Sequence, residues 1–142
     1  MIESVSSLYL LDTSAILTLI EDEPGADRVD ELLRTGEVLL PFMAGLETFY
    51  ISLREAGEDE AERRLFLLRQ LPVRWLNTVG EPVLVTAGRI KARHRISLAD
   101  SLIAAFAIEA GAILVHKDPE YEALSDLRQE QLPYKGVKGK NQ

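Results

Sequence analysis

The stretch Ser97 to Asp118, SLADSLIAAFAIEAGAILVHKD, decides how this chain folds. From Leu98 to Ala110 it carries apolar residues on nearly every side: Leu98, Ala99, Leu102, Ile103, Ala104, Ala105, Phe106, Ala107 and Ile108. A helix of that composition is buried in protein rather than laid on its surface. Gly111 ends it. Ala112 to Val115 then reads as a buried strand, and Asp118 follows shortly, just ahead of Pro119. A buried helix feeding a buried strand is part of a repeating βα pattern, which predicts a parallel sheet.

Outward from that core the alternation continues. Leu8 to Leu11 reads as a central strand, followed by a helix from Ser14 to about Ile20. Pro24 suits the first turn of a second helix that Gly36 ends. Val38-Leu39-Leu40 is a short strand closed by Pro41. Helices over Ala44–Ala56 and Asp59–Gln70 meet at Gly57 and form an antiparallel hairpin, with Asp59/Arg63 and Glu60/Arg64 as charge pairs on its wet face. Val73 to Leu76 is strand-like, and Pro82–Arg93 is helical, with Val83, Ala87 and Ile90 as its stripe. Pro119–Leu124 reads as a short helix, and Gln131–Tyr134 as an edge strand. There is no internal repeat and no linker, so residues 1–142 are expected to form one domain, with a mobile basic tail from Lys135.

Four acids stand out: Asp12, Glu47, Asp100 and Asp118. Asp12 ends the first strand, Asp100 opens the apolar helix, and Asp118 follows the last clear strand. In open α/β sheets ligands bind at the carboxyl ends of the strands. Carboxylates gathered there repel one another unless a hard cation neutralises them. The chain has no cysteine and only His94 and His116 as imidazoles, so a metal site must be built mainly from oxygen, which suits Mg²⁺ or Mn²⁺. That pattern points to metal-assisted chemistry on a phosphate ester.

Composition bounds the rest. An apolar share of 46% and a charged share of 27% are ordinary for a soluble protein. The longest apolar run, Leu102 to Ile108, is far short of a membrane span. Met1 to Ser7 lacks the charged and apolar regions of a secretory signal, so a cytoplasmic location is expected. The net charge of −7 weighs mildly against nucleic-acid binding. The basic run Arg89-Ile90-Lys91-Ala92-Arg93-His94-Arg95 and the tail Tyr134 to Lys140 weigh the other way.

Each acid also has a plain structural reading. Asp100 stands three residues after Ser97, close to a capping box. Asp118 before Pro119 reads as a helix cap, Asp12 as a turn residue, and Glu47 as a solvated charge. His116 could be a base or an outer ligand, although a lone histidine at a strand end is more often simply hydrogen-bonded. Trp75 reads as core, and Ser14 as a helix cap rather than a nucleophile. What these readings leave unexplained is the placement of Asp12 and Asp100 on buried elements with no nearby cation in sequence, where a bare charge is costly.

Together, Leu10-Leu11-Asp12-Thr13-Ser14-Ala15, Glu47, Ser97 to Ala105, and Gly111 to Val115 leading to Asp118 resemble a PIN-domain nuclease, and within that family the VapC-like toxins of toxin–antitoxin pairs. The resemblance covers about residues 8 to 125. It implies a three-layer α/β/α sandwich with a central parallel sheet. It implies Mg²⁺- or Mn²⁺-dependent cleavage of RNA, leaving 5′-phosphate and 3′-hydroxyl ends. Asp12, Glu47, Asp100 and Asp118 match the family's acidic quartet, with Ser14, ahead of Thr13, as the hydroxyl beside it. It also implies a homodimer, and a small antitoxin docking on the Ala44–Gln70 helix pair. In many relatives a threonine stands two residues before the last acid, where this chain has His116. The role of Asp118 is therefore the one that the resemblance defines least.

Three other functions share some of these features. A haloacid-dehalogenase-like phosphatase also places an Asp after its first strand, but usually has a second acid where this chain has Ser14. A receiver domain carries its phospho-accepting Asp after the third strand, where only Asn77 is found. A non-catalytic RNA- or protein-binding module could keep the fold, though an intact quartet argues against it.

Overall fold

The computed structural model describes residues 7–134. The basic tail from Lys135 lies outside the described residues. The elements run in the order β1 Leu8–Leu11, α1 Thr13–Ile20, α2 Ala26–Thr35, β2 Glu37–Pro41, α3 Phe42–Ala56, α4 Glu58–Gln70, β3 Arg74–Leu76, α5 Glu81–Arg93, α6 Leu98–Ala110, β4 Ile113–His116, a 3-10 helix Pro119–Ala123, and β5 Gln129–Gln131. The five strands form one sheet in the order β3-β2-β1-β4-β5, and every neighbouring pair is parallel.

Side-chain alternation along the strands divides the core into two layers. Leu10, Leu39 and Leu114 face one side, packing with Ile103, Phe106, Ile90, Tyr121 and Leu124 from α5, α6 and the 3-10 helix. Their neighbours Leu11, Leu40 and Val115 face the other, packing with Ile16, Val29, Leu32 and Leu68 from α1, α2 and α4. Helices on both faces of a parallel sheet make the expected α/β/α sandwich, and double burial explains why β1, β2 and β4 read as nearly continuous apolar runs. β1 lies between β2 and β4, so its carboxyl end sits at the point where the strand order reverses.

Several local expectations are corrected. Helix α1 starts at Thr13, capped by Asp12 rather than Ser14, because the Asp12 carboxylate accepts the Ala15 N–H. Pro24 lies in a turn and not in α2, since Gly25 takes φ 106° immediately before Ala26, a backbone that no right-handed helix accommodates. Helix α3 starts two residues early, at Phe42. The edge strand is Gln129–Gln131 rather than Gln131–Tyr134. Leu132 donates one last bond to the His116 carbonyl, and Pro133 has no N–H to continue the ladder. Arg63 pairs with Glu60, not Asp59, so that Glu60 holds both Arg63 and Arg64. On α4, Leu68 joins the core and Leu67 stands exposed. Leu98, at the start of α6, is likewise exposed, because the helix is capped at the sheet's rim before it dives into the core.

Candidate active site

Asp12 closes β1 and is 2% exposed. Its N–H donates to the Val115 carbonyl across the β1–β4 ladder. Its carboxylate accepts from Ser14 Oγ at 2.7 and 2.9 Å and from the Ala15 N–H at 2.8 Å. The plain and the chemical readings of Asp12 therefore both hold: it caps a helix and is a buried charge. Burial pushes its pKa up to about 7, against the lowering effect of the Ser14 and Ala15 bonds, and the charges of Asp100 and Asp118 raise it further. Ser14 Oγ also accepts the Lys117 N–H at 2.8 Å, tying the turn after β1 to the turn after β4.

Asp100 is the third residue of α6. Ser97 caps that helix by accepting the Asp100 N–H at 3.0 Å. The Asp100 carboxylate accepts from the hydroxyl of the buried Tyr121 at 3.0 Å. Burial raises its pKa to about 6, with Asp118 and Glu47 adding to the rise and Tyr121 opposing it. The same low-dielectric, acidic surroundings push the Tyr121 phenol far up, so it stays a donor at any working pH.

Asp118 caps the 3-10 helix through the Glu120 N–H at 3.0 Å. Carboxylate oxygens of Asp100, Asp118 and Glu120 lie within 4.8 Å of one another. Glu47, on α3, accepts from Thr13 Oγ1 at 2.5 Å. All four acids singled out in the sequence thus interact electrostatically or through hydroxyls that start α1. Among the described residues, no lysine or arginine pairs with Asp12, Glu47, Asp100 or Asp118. Lys117, next to Asp118 in sequence, is paired with Glu23 at 3.2 Å instead.

His116 is neither base nor ligand. Its ring is fully buried; Nδ1 accepts the Asp118 N–H at 3.0 Å, and Nε2 lies 2.8 Å from Gln129 Oε1. Those partners fix the neutral tautomer with the proton on Nε2, and burial lowers its pKa. Thr13, ranked behind Ser14 in the sequence reading, is the hydroxyl that holds Glu47. Glu120 and Tyr121 went unnoticed. Glu120 had a signal, an acid two residues past Asp118 at a helix start. Tyr121 had none, since its partner lies 21 residues away.

The arrangement fits a hard divalent cation. Its donors are carboxylate oxygens, several brought within one ion's reach; burial above all, with like-charge repulsion added, raises the pKa values of Asp12 and Asp100, and a cation would favour their ionised forms. The chain has no thiol to compete for the ion, and both ring nitrogens of His116 already have partners.

Comparison with known proteins agrees with the geometry. The family described as PIN domain matches residues 9–127. No curated protein matches the chain. Among solved structures, VapBC2 from Rickettsia felis, bound to a DNA fragment from its promoter, superposes with a TM-score of 0.74 at 16% identity, covering 89% of this chain and 99% of that one. VapBC-1 from nontypeable Haemophilus influenzae gives 0.70 at 24% identity, covering 87% and 97%. VapC20 from Mycobacterium tuberculosis, described as a Sarcin-Ricin loop cleaving toxin, gives 0.70 at 18% identity, covering 88% and 99%. At these identities the likeness is one of fold.

Proposed function

The chain belongs to the PIN domain family, and from that premise we propose that it is a metal-dependent endoribonuclease acting as the toxin of a toxin–antitoxin pair. One observation carries the reading: Asp12, Asp100 and Asp118 converge at the carboxyl end of the sheet without a cationic partner among the described residues, two of them with raised pKa values. A purely structural set of caps has no need to bring those charges together.

Asp12, Asp100, Asp118 and Glu47 are the residues that would hold Mg²⁺ or Mn²⁺, with Glu120 beside them. Such an ion supplies a nucleophile from water near neutral pH and stabilises the charge that develops on the phosphodiester. The protein's own part is orientation. Ser14 and the Ala15 N–H fix the Asp12 carboxylate, Tyr121 fixes Asp100, and Thr13 fixes Glu47. With those rotamers set in advance, little reorganisation remains when RNA arrives.

The α3–α4 hairpin supports a protein partner. Leu46, Tyr50, Leu53, Phe66 and Leu67 are exposed there. Beside them a groove of about 620 Å³ is lined by Phe42, Leu46, Phe49, Leu65 and Trp75. An apolar face of this kind suits a small antitoxin or a second copy of the chain. A cytoplasmic location follows from the same reading, and no helix among the described residues is long and apolar enough to cross a membrane.

The test pairs chemistry with physiology. Purified protein should cut RNA with Mg²⁺ or Mn²⁺ and stop in chelator, and Asp100→Asn should be inactive. Expression alone in bacteria should arrest growth, and Asp12→Asn at matched levels should not. Cleavage that persists in chelator overturns the metal mechanism, and equal growth of both strains overturns the toxin role.

A further inference from the structure

The basic run at the end of α5 has no role in the chemistry so far. Arg28, Arg34, Arg63, Arg64 and Lys117 each pair with a carboxylate. Among the described residues, Arg54, Arg69, Arg74 and Arg128 pair with no carboxylate, and neither do Arg89, Lys91, Arg93 and Arg95, which differ in being clustered within seven residues and all exposed. The helix dipole favours Lys91 and Arg93 in the last turn. It does not account for Arg89, a turn earlier, or Arg95, beyond the cap.

Two of these cations line a cleft of about 380 Å³. Arg89, Arg93 and His94 contribute from α5, Glu109 from the end of α6, and Ser125 and Asp126 from the turn after the 3-10 helix. Acids and arginines share the cleft yet form no ion pair; Glu109 accepts from Thr86 instead, at 2.7 Å. The lining offers unpaired guanidinium groups for an anion and carboxylates for N–H or hydroxyl donors. A bare phosphate uses only the first. A nucleotide within a single RNA strand uses both, through its phosphate, its 2′-hydroxyl and its base edge.

The cleft is linked to the acidic site by two short stretches of chain, and Glu109 on its wall stands nine residues past Asp100, about 13 Å along α6. On one wall, His94 and Arg95 lead through Ile96 to Ser97, the cap that holds the Asp100 N–H. On the other, Ser125 and Asp126 follow the 3-10 helix that starts from Asp118. That helix has five residues, and at a 3-10 rise it spans about 10 Å.

We propose that the cleft between α5, the end of α6 and the Ser125–Asp126 turn binds the single-stranded RNA substrate further along the strand from the scissile phosphate, with Arg89 and Arg93 on its backbone. This rests on the nuclease reading above. Anisotropy of a labelled, mixed-sequence single-stranded RNA, in chelator and at several salt concentrations, tests it. Removing two phosphate contacts in Arg89→Gln/Arg93→Gln should reduce the slope of log K against log salt by about 1.4. With Mg²⁺ present, the same variant should raise KM roughly tenfold and leave kcat within about twofold. Arg34→Gln/Arg74→Gln, equal in charge but remote from the cleft, should change neither. Melting curves confirm that each variant folds. If the wild type cleaves RNA and the cleft variant matches the remote one, this inference is overturned and the nuclease reading stands. An equal effect from Lys91→Gln/Arg95→Gln overturns the cleft in favour of diffuse charge. If the wild type neither binds nor cleaves RNA, both readings fall.

Discussion

The hydroxyl of Tyr121 donates to Asp100 Oδ1 at 3.0 Å, from a side chain with no exposed surface. Tyr121 also packs its ring against His116, with centroids 4.8 Å apart. His116 in turn is fixed by Gln129 and by the Asp118 N–H. Two of the site's acids are thereby oriented from one buried aromatic pair.

Tyr121→Phe removes only the donor. It should cut kcat by about tenfold, the order expected when a positioning bond to a reacting-site carboxylate is lost, while the fold persists because the ring still fills its place. Loss of a bond that lowers the Asp100 pKa should also move the acidic limb of the pH–rate profile upward. A rate and profile unchanged from the parent would make Tyr121 a core residue only.

Asp12 should make the metal-free protein less stable at high pH. Its folded pKa, about 7, stands above the ordinary value of 3.8. The ionised form therefore costs stability above about 7, and the cost fades as pH falls from there toward 3.8. In chelator, the parent should melt higher at pH 5 than at pH 8, with about 1–3 kcal/mol recovered. Glu60, held down to about 2 by Arg63 and Arg64, does not titrate in that window. Asp12→Asn should gain stability at pH 8 and reduce the dependence, leaving the part that Asp100, raised to about 6, contributes with the same sign. A parent that melts lower at pH 5 contradicts this.

Mg²⁺ should raise the melting temperature by binding linkage, worth about 2.7 kcal/mol at a concentration one hundred times Kd. Asp100→Asn and Asp118→Asn should lose most of the shift. Glu120→Gln should lose part of it, since its carboxylate shares the 4.8 Å cluster. A full shift in Glu120→Gln would assign the ion to the other acids alone.

Gly45→Ala should destabilise the protein by about 1–3 kcal/mol, the usual cost of overpacking. A Cβ at Gly45 would stand 2.8 and 2.9 Å from two ring atoms of Trp75. Trp75 is the chain's single tryptophan, so its fluorescence reports the displacement during urea unfolding. Unchanged stability would show that the groove's Trp75 wall yields freely.

The layers of the fold were legible because double burial writes itself into composition. Leu10-Leu11, Leu39-Leu40 and Leu114-Val115 are apolar on both faces, and Gly111, at φ 67°, ends α6 where its sequence says it should. The acids were legible because Asp12 and Asp118 stand where strands stop. What could not be read was anything set by distant pairing. Thr13 holds Glu47 across 34 residues, and Tyr121 holds Asp100 across 21. His116 has Nδ1 on the Asp118 N–H, two residues on, and Nε2 on Gln129, a partner that only the folded sheet supplies. Turn details failed where one glycine or proline overruled propensity, as Gly25 did for Pro24 and Pro133 did for the last strand.

Ser14 spans 103 residues to meet the Lys117 N–H, and β1 cannot gain its β4 neighbour before Ile113 exists. A ribosome therefore releases Asp12 and Glu47 well before Asp100 and Asp118. Until residues 100–118 have been made, the nascent polypeptide carries half an acidic cluster, so on the proposed reading it cannot yet assemble the site that would cut RNA.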